Sequence, residues 1–197
     1  MESRRFDPKK LDKLNNPDRL SYLDPGLIWD SVGLHSPKTI IDIGAGTGFF
    51  AFIFAGKMDK GKIYACDISD VMIEWITEHT PADIKESVVP LKMEENSLPL
   101  NDGIADLVYM INLHHELEQP VKLIVEACRL LEVGGMLAII DWKKEETPEG
   151  PPVSIRVSEE TIEHQMQGGG FGKIRKYGIL PYHHFLVGEK TRYGCKT

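Results

Sequence analysis

Short apolar runs alternate with amphipathic stretches along residues 38–142, and the two patterns differ in period. The runs are rich in β-branched residues and apolar on both faces, which predicts strands buried in a parallel sheet. The stretches between them have the spacing of helices that cover both faces of such a sheet. The predicted strands are 39–43, 62–67, 87–92, 105–111 and 136–141. The predicted helices are 46–57, 69–79 and 120–131.

The pattern changes on either side of this segment. Residues 1–24 are polar and aperiodic, which predicts an arm outside the core, and Asp24-Pro25 then begins a short helix. Beyond Asp141 the sequence predicts a helix over 158–167 and two strands, KIRKYGI and HHFLVGE, whose connection is too short for a crossover helix. We therefore expect an α/β, Rossmann-like fold: a seven-stranded, mostly parallel sheet with an antiparallel last strand and helices on both faces.

Composition narrows the function classes. The 197 residues fit one domain (38–197) preceded by an arm and short helix (1–37), and the net charge of −7 disfavours a nucleic-acid partner. The charged N-terminus lacks the apolar region of a signal peptide, and no apolar run approaches the length of a membrane span. A cytoplasmic protein is the expectation. The cysteines form no CxxC pair and His115-Glu-Leu-Glu-Gln lacks the second histidine of HExxH, so we expect no metal site.

Residues 40–50, IIDIGAGTGFF, place three glycines between a strand and a helix. Gly44, Gly46 and Gly48 then lie at the carboxyl edge of the predicted sheet, where open α/β sheets bind ligands. Glycine allows a ligand to lie against the main chain. A dinucleotide-binding loop needs a small residue three positions after its second glycine, and here that position is Phe49. A phosphate-binding P-loop is also disfavoured, because no Lys-Ser or Lys-Thr follows.

Asp67 ends the second predicted strand, 23 residues after Gly44. A carboxylate at this place accepts hydrogen bonds from ribose hydroxyls. The loop D-x-G-x-G-x-G and this aspartate resemble the first two motifs of class I S-adenosylmethionine-dependent methyltransferases. Segments 93–117 and 128–142 are similar to later motifs of that family. The ends of the chain, including RVSEETIEHQMQGGGF, also resemble small methyltransferases of the ubiquinone and menaquinone group.

The resemblance implies a binding mode for the nucleoside of S-adenosylmethionine. Asp67 is expected to accept the ribose hydroxyls and Glu94 the adenine amine. The backbone N–H of Glu95 is expected to donate to the ring, and Ile68 to pack on its face.

At the methionine end, the resemblance assigns the ammonium to Asp42 and to the backbones of Gly44 and Asn112. The cofactor-binding residues that it implies are, in full, Asp42, Gly44, Ala45, Gly46, Gly48, Asp67, Ile68, Glu94, Glu95 and Asn112.

Some candidate substrate contacts, His114, His115 and Trp142, come after predicted strands, and another, Tyr22, lies in the arm. The candidates for a general base are His114, His115 and Glu116, and His115 is favoured, because an imidazole with a pKa near 6.5 can take a proton from a methyl acceptor. Alternatively, one of His114 and His115 packs against the sheet and the other is solvated. Trp142 either lines the acceptor pocket or caps the core. Tyr22 belongs to an arm that resembles a lid in the family and is expected to close over the cofactor.

We therefore expect a methyltransferase that acts on a small-molecule acceptor and forms S-adenosylhomocysteine. Asn112-Leu-His departs from the Asn- or Asp-Pro-Pro motif of enzymes that methylate amino groups of DNA and protein. Two alternatives remain open. One is an adenosylmethionine-binding protein without transferase activity, and the other is an NAD(P)-dependent oxidoreductase, which Phe49 disfavours.

Overall fold

A computed structural model of the protein describes residues 11–192, and seven strands within this range form one sheet in the order β3-β2-β1-β4-β5-β7-β6. The strands are β1 (Thr39–Ile43), β2 (Lys62–Asp67), β3 (Val88–Lys92), β4 (Ala105–Ile111), β5 (Leu131–Trp142), β6 (Phe171–Lys176) and β7 (His183–Lys190). β1 to β5 pair in parallel, and β7 pairs antiparallel with β5 and β6. The predicted fold class is confirmed. Residues 1–10 of the predicted arm and 193–197 of the predicted domain lie outside the described part.

Helices cover both faces of the sheet. They are α1 (Leu11–Leu14), α2 (Pro25–Val32), α3 (Phe49–Ala55), α4 (Asp70–His79), α5 (Pro120–Leu130) and α6 (Glu159–Gly168). Short 3-10 turns occur at Pro17–Ser21, His114–Glu116 and Val153–Ile155. No helix in residues 11–192 is both long and apolar enough to cross a membrane.

Side chains of the central strands alternate between two hydrophobic clusters, one on each face. Ile40 of β1 packs in the cluster that includes α2 and α3, whereas Ile41 and Ile43 pack in the cluster that includes α5 and α6. All three are fully buried. This two-sided burial explains why the strands are apolar at successive positions, and it holds the carboxyl ends of β1, β2 and β4 at one edge.

Several boundaries differ from the prediction. Helix α3 begins at Phe49 rather than at residue 46, because Gly46 and Gly48 have positive φ angles of 56° and 78°. β5 begins at Leu131, before the glycine pair that was expected to precede it. The register between β4 and β5 shifts across residues 132–135, so the glycines occupy an irregular part of the strand.

The arm contributes to the core, contrary to the prediction for residues 1–24. Leu23 is fully buried in the cluster beside α2 and α3, and its N–H donates to the Arg19 carbonyl at 2.8 Å. The predicted N-cap is present: the Asp24 carboxylate accepts the N–H groups of Gly26 and Leu27. The arm therefore begins to pack against the core at Leu23, before helix α2 begins.

Candidate active site

The glycine loop after β1 is held against the end of β2. The N–H groups of Gly44 and Ala45 both donate to the Cys66 carbonyl at 2.9 Å. Gly44 has φ 74°, and a Cβ there would lie 2.8 Å from the Leu113 side chain. Gly48 has φ 78° and is the N-cap of α3. The loop therefore requires glycine both for its torsions and for the space beside them.

Asp67 connects this loop to the next one. Its two carboxylate oxygens accept the N–H groups of Gly46 and Ser69, each at 2.9 Å. Burial raises the pKa of Asp67, while these backbone donors and that of Ile68 act in the opposite direction. Each carboxylate oxygen has a further lone pair, so Asp67 can accept additional hydrogen bonds from a ligand in the cavity that it lines.

Asp42, at the end of β1, is a buried carboxylate in the wall of the same cavity. No described cation lies within ion-pair distance of it. Burial is the largest influence and raises the pKa of Asp42 to about 8; the neighbouring Tyr109 hydroxyl and the charge of Arg19 oppose this rise, and Asp67 adds to it. A cationic ligand group beside Asp42 would supply the charge that the protein does not.

Two buried polar atoms in the cavity wall have no hydrogen-bond partner in the described structure: Asn112 Oδ1 and Thr47 Oγ1. Asn112 has φ 59°, a left-handed conformation that asparagine adopts more readily than most residues. Its N–H donates to the Ile140 carbonyl at 2.9 Å. Unsatisfied buried polar groups are costly, so these atoms fit a ligand that carries hydrogen-bond donors.

The cavity measures about 1000 Å³, the upper end of the range for ligand sites, and is large enough for two small molecules together. The sequence-predicted residues that line it are Tyr22, Asp42, Gly44, Ala45, Gly46, Asp67, Ile68, Glu95, Asn112, His115 and Trp142.

Three sequence-predicted residues do not line this cavity. Gly48 caps α3, and Glu94 is exposed and pairs through its backbone with Ser97. His114 Nε2 lies 2.7 Å from Gln165 Oε1 on α6, and burial lowers the pKa of this histidine. His114 thus occupies the packing position that the sequence left open for one of the two histidines.

His115 forms a buried pair with Asp141, the penultimate residue of β5. Nδ1 lies 2.8 Å from Asp141 Oδ1, and the His115 N–H donates to Oδ2 at 2.8 Å. An ionised carboxylate only accepts hydrogen bonds, so Nδ1 carries the proton, and Nε2 of the neutral ring, which lies 3.8 Å from Glu116 Oε1, has the lone pair that can accept another. Burial lowers the pKa of His115, but the hydrogen bond and charge of Asp141 outweigh it and raise that pKa above its usual value.

Aromatic side chains join the arm to the ends of β5 and β7. The ring centroid of Trp142 lies 5.8 Å from the ring centroid of Tyr22 and 4.2 Å from that of His183. Tyr22 stacks on His183 with an interplanar angle of 3°. Because Tyr22 and Trp142 also line the cavity, the arm closes one side of it.

Arg156 holds the loop after β5. Its guanidinium is buried, donates to the carbonyls of Lys143, Glu145, Glu149 and Pro151 and to the Thr147 hydroxyl, and lies 5.4 Å from the Trp142 ring centroid. Residues 149–152 of this loop line the cavity. Sequence reasoning missed both Arg156 and Asp141. The only local signal for Asp141 was a carboxylate at the end of an otherwise apolar strand.

The chain is similar to known methyltransferases. Residues 41–139 match a family described as "Methyltransferase domain". A solved structure described as a SAM dependent methyltransferase from Aquifex aeolicus is 34% identical in sequence and superposes with a TM-score of 0.89. The match covers 95% of this chain and 100% of that one.

Curated relatives are longer than this chain. The malonyl-[acyl-carrier protein] O-methyltransferase of Methylococcus capsulatus is 28% identical over 71% of this chain and 54% of that protein. The ubiquinone/menaquinone biosynthesis C-methyltransferase of Francisella tularensis is 25% identical over 57% of this chain and 46% of that protein. The chain thus spans about half the length of the curated relatives it matches.

The buried charge of Asp42 predicts a stability cost in the ligand-free protein. Because its pKa rises from 3.8 to about 8 on folding, the native state retains a proton that the unfolded chain loses, and stability falls as the pH rises between these values. We expect Asp42→Asn to unfold at a higher temperature than the wild type, with a difference that grows from about pH 4 to about pH 8. Thermal melts across this range measure it. The exposed Asp83→Asn is the control, and an Asp42→Asn protein no more stable than the wild type at pH 8 would contradict the prediction.

Proposed function

The chain belongs to the class I S-adenosylmethionine-dependent methyltransferases, and we propose that it transfers a methyl group from S-adenosylmethionine to a small-molecule acceptor, releasing S-adenosylhomocysteine. The observation that carries the proposal is a single cavity of about 1000 Å³ with two chemically different walls. One wall is the glycine loop with Asp42 and Asp67. The other contains the His115–Asp141 pair beside Trp142.

The first wall fits the donor. In the proposal, Asp67 accepts the ribose hydroxyls, Ile68 packs against the adenine, and the Glu95 backbone contacts the ring. The exposed fraction of Ile68, 39%, supports this, because an apolar side chain in a cavity wall is available to a flat ring.

The methionine end of the donor carries positive charge, and the same wall offers it a carboxylate. Asp42 accepts the ammonium, helped by the orphaned Oδ1 of Asn112 and by the close approach that Gly44 allows. Ligand binding would remove the cost of burying Asp42 without a counter-ion.

The second wall supplies proton removal. Bound S-adenosylmethionine supplies a methyl group on an already reactive sulfonium. His115 Nε2 takes the proton of the acceptor, while Asp141 holds the ring in the correct tautomer and stabilises the imidazolium that forms. Tyr22 and Trp142 exclude water from this side. The residues therefore align the reactants and remove a proton, which suffices for an in-line displacement.

A carboxylate acceptor is the second candidate, because relatives are named malonyl-[acyl-carrier protein] O-methyltransferases. A carboxylate is already ionised and needs no base. The buried His115–Asp141 pair favours an acceptor that must lose a proton, such as a hydroxyl. Replacement of His115 distinguishes the two, since only the hydroxyl reaction requires Nε2 to accept a proton.

The cofactor assignment is tested by Asp67→Ala. A charge-assisted hydrogen bond contributes about 1.5–3 kcal/mol, so losing both ribose contacts should raise the Kd of S-adenosylhomocysteine by at least about 150-fold. Calorimetry measures this value. Asp67→Asn, which retains one acceptor oxygen, should give an intermediate Kd. Asp70→Ala, an exposed neighbour on α4, is the control. A Kd within about threefold of wild type for Asp67→Ala would remove this residue from the donor site.

The base is tested by His115→Ala, which should lower kcat for a hydroxyl acceptor at least about 100-fold. The Kd of S-adenosylhomocysteine should stay within about threefold. The neighbouring His114→Ala, which loses a packing contact with Gln165, should lower the melting temperature and leave kcat nearly unchanged. If His115→Ala binds the donor but retains more than about a third of the wild-type rate, general-base catalysis by this residue is wrong. If no wild-type transfer is seen across hydroxyl and carboxylate acceptors despite donor binding, the non-catalytic alternative is favoured.

Asp141 has a separate signature in the pH profile. The wild-type rate should fall as the pH drops through the raised pKa of His115, because protonated Nε2 cannot accept. Asp141→Asn removes the hydrogen-bonded charge that raises this pKa, so the acid limb of the kcat profile should move to lower pH while the maximal rate falls. An unmoved acid limb would contradict the pairing of Asp141 with the catalytic proton.

A further inference from the structure

A second buried charge lines the cavity, and it comes from the arm. Arg19 lies in the 3-10 turn Pro17–Ser21 and exposes 9% of its surface. No described carboxylate lies within ion-pair distance of its guanidinium. The cavity wall therefore contains a buried guanidinium, Arg19, and a buried carboxyl group, Asp42, and neither forms an ion pair with a described residue.

Contacts hold the guanidinium in place without neutralising it. Its carbon lies 5.2 Å from the ring centroids of both Phe49 and Phe50, in the first turn of α3. Nη1 donates to the Leu14 carbonyl. An arginine carries five N–H donors, and the Arg19 side chain forms no other hydrogen bond with the residues whose side chains the structure describes. The aromatic stacking thus orients a cation whose remaining donors are available to a ligand.

The position of Arg19 associates it with the glycine-loop wall. Its charge acts on Asp42 and lowers the pKa that burial raises. The cation that acts on His115 is a different one, Arg156. The arm also approaches the glycine loop directly, since a Cβ on Gly46 would lie 3.1 Å from the Leu14 side chain.

A carboxylate and a guanidinium that line one cavity without pairing with each other are complementary to a zwitterion. An α-amino acid group presents an ammonium and a carboxylate a short distance apart. A planar guanidinium binds a carboxylate through paired N–H donors, and such charge-assisted pairs are the strong ones.

We infer that Arg19 binds the carboxylate of an α-amino acid group whose ammonium is held by Asp42. This inference rests on the proposed function, in which that group is the methionine end of the donor. Arg19 is then a specificity-determining residue, and the arm closes around ligands that carry the carboxylate.

Calorimetry with two ligands tests this inference. One ligand is S-adenosylhomocysteine, and the other is its decarboxylated analogue, which keeps the amine and lacks the carboxylate. We expect the wild type to prefer S-adenosylhomocysteine by about 10–100-fold. Arg19→Met, which can still pack between the two phenylalanines, should lose this preference by weakening S-adenosylhomocysteine alone. Arg19→Lys keeps the charge without the planar fork and should retain a reduced preference.

Lys13→Met is the matched control, because Lys13 is an exposed cation that lines the same cavity from the same arm. It should leave the preference unchanged. The inference would be overturned if Arg19→Met raised the Kd of both ligands equally, or if Lys13→Met lost the preference instead. Either result would leave the proposed function intact. A wild-type protein that binds neither ligand would overturn both.

Discussion

The site depends on the hydrogen bonds that hold the glycine loop against the end of β2. The Cys66 carbonyl accepts two N–H groups of the loop, and the Asp67 carboxylate accepts a third, from Gly46. These bonds join the ends of two neighbouring parallel strands, so the loop is attached directly to the edge of the sheet. They also orient Asp67 with one lone pair per oxygen to spare. Only a loop with glycine at its positive-φ positions can approach the strand end in this way.

Charged groups are distributed unevenly around the cavity, and their pairing differs between its two walls. Asp42 and Arg19 are buried and have no ion-pair partner in the part of the chain that the structure describes, which is costly in the free protein and fits groups that meet a charged ligand. His115 and Asp141 are the opposite case, because each satisfies the other within the protein. A paired histidine retains a defined tautomer whether or not a ligand is bound, as proton transfer requires. The loop that closes the acceptor side is held in turn by one buried cation, Arg156.

Much of the fold, and the cavity wall formed by the glycine loop with Asp42 and Asp67, could be predicted from local sequence. β1, β2 and β4 have the predicted bounds, because strands buried on both faces are apolar at successive positions and end at polar or glycine residues. The predicted site residues Asp42 and Asp67 line the cavity because each is one of the last two residues of such a strand, and the carboxyl ends of parallel strands meet at one edge. The bounds of helices and strands were less predictable near glycines. Gly46 and Gly48 precede α3 rather than lying within it, and the Gly134–Gly135 pair lies inside β5.

The wall that contains His115 and Asp141 was decided by tertiary structure. Asp141 becomes the partner of His115 because β4 and β5 are adjacent, although 26 residues separate the two side chains along the chain. Arg19 lies in a polar arm with no periodic pattern, and only the docking of that arm on α3 buries its charge. The sequence by itself determined the strand pattern, the glycine loop and the carboxylates at the ends of β1 and β2, because these follow from local spacing and backbone torsions. Which side chains of distant segments face one another, and which charges lose water without gaining a partner, depend on packing that local spacing does not encode.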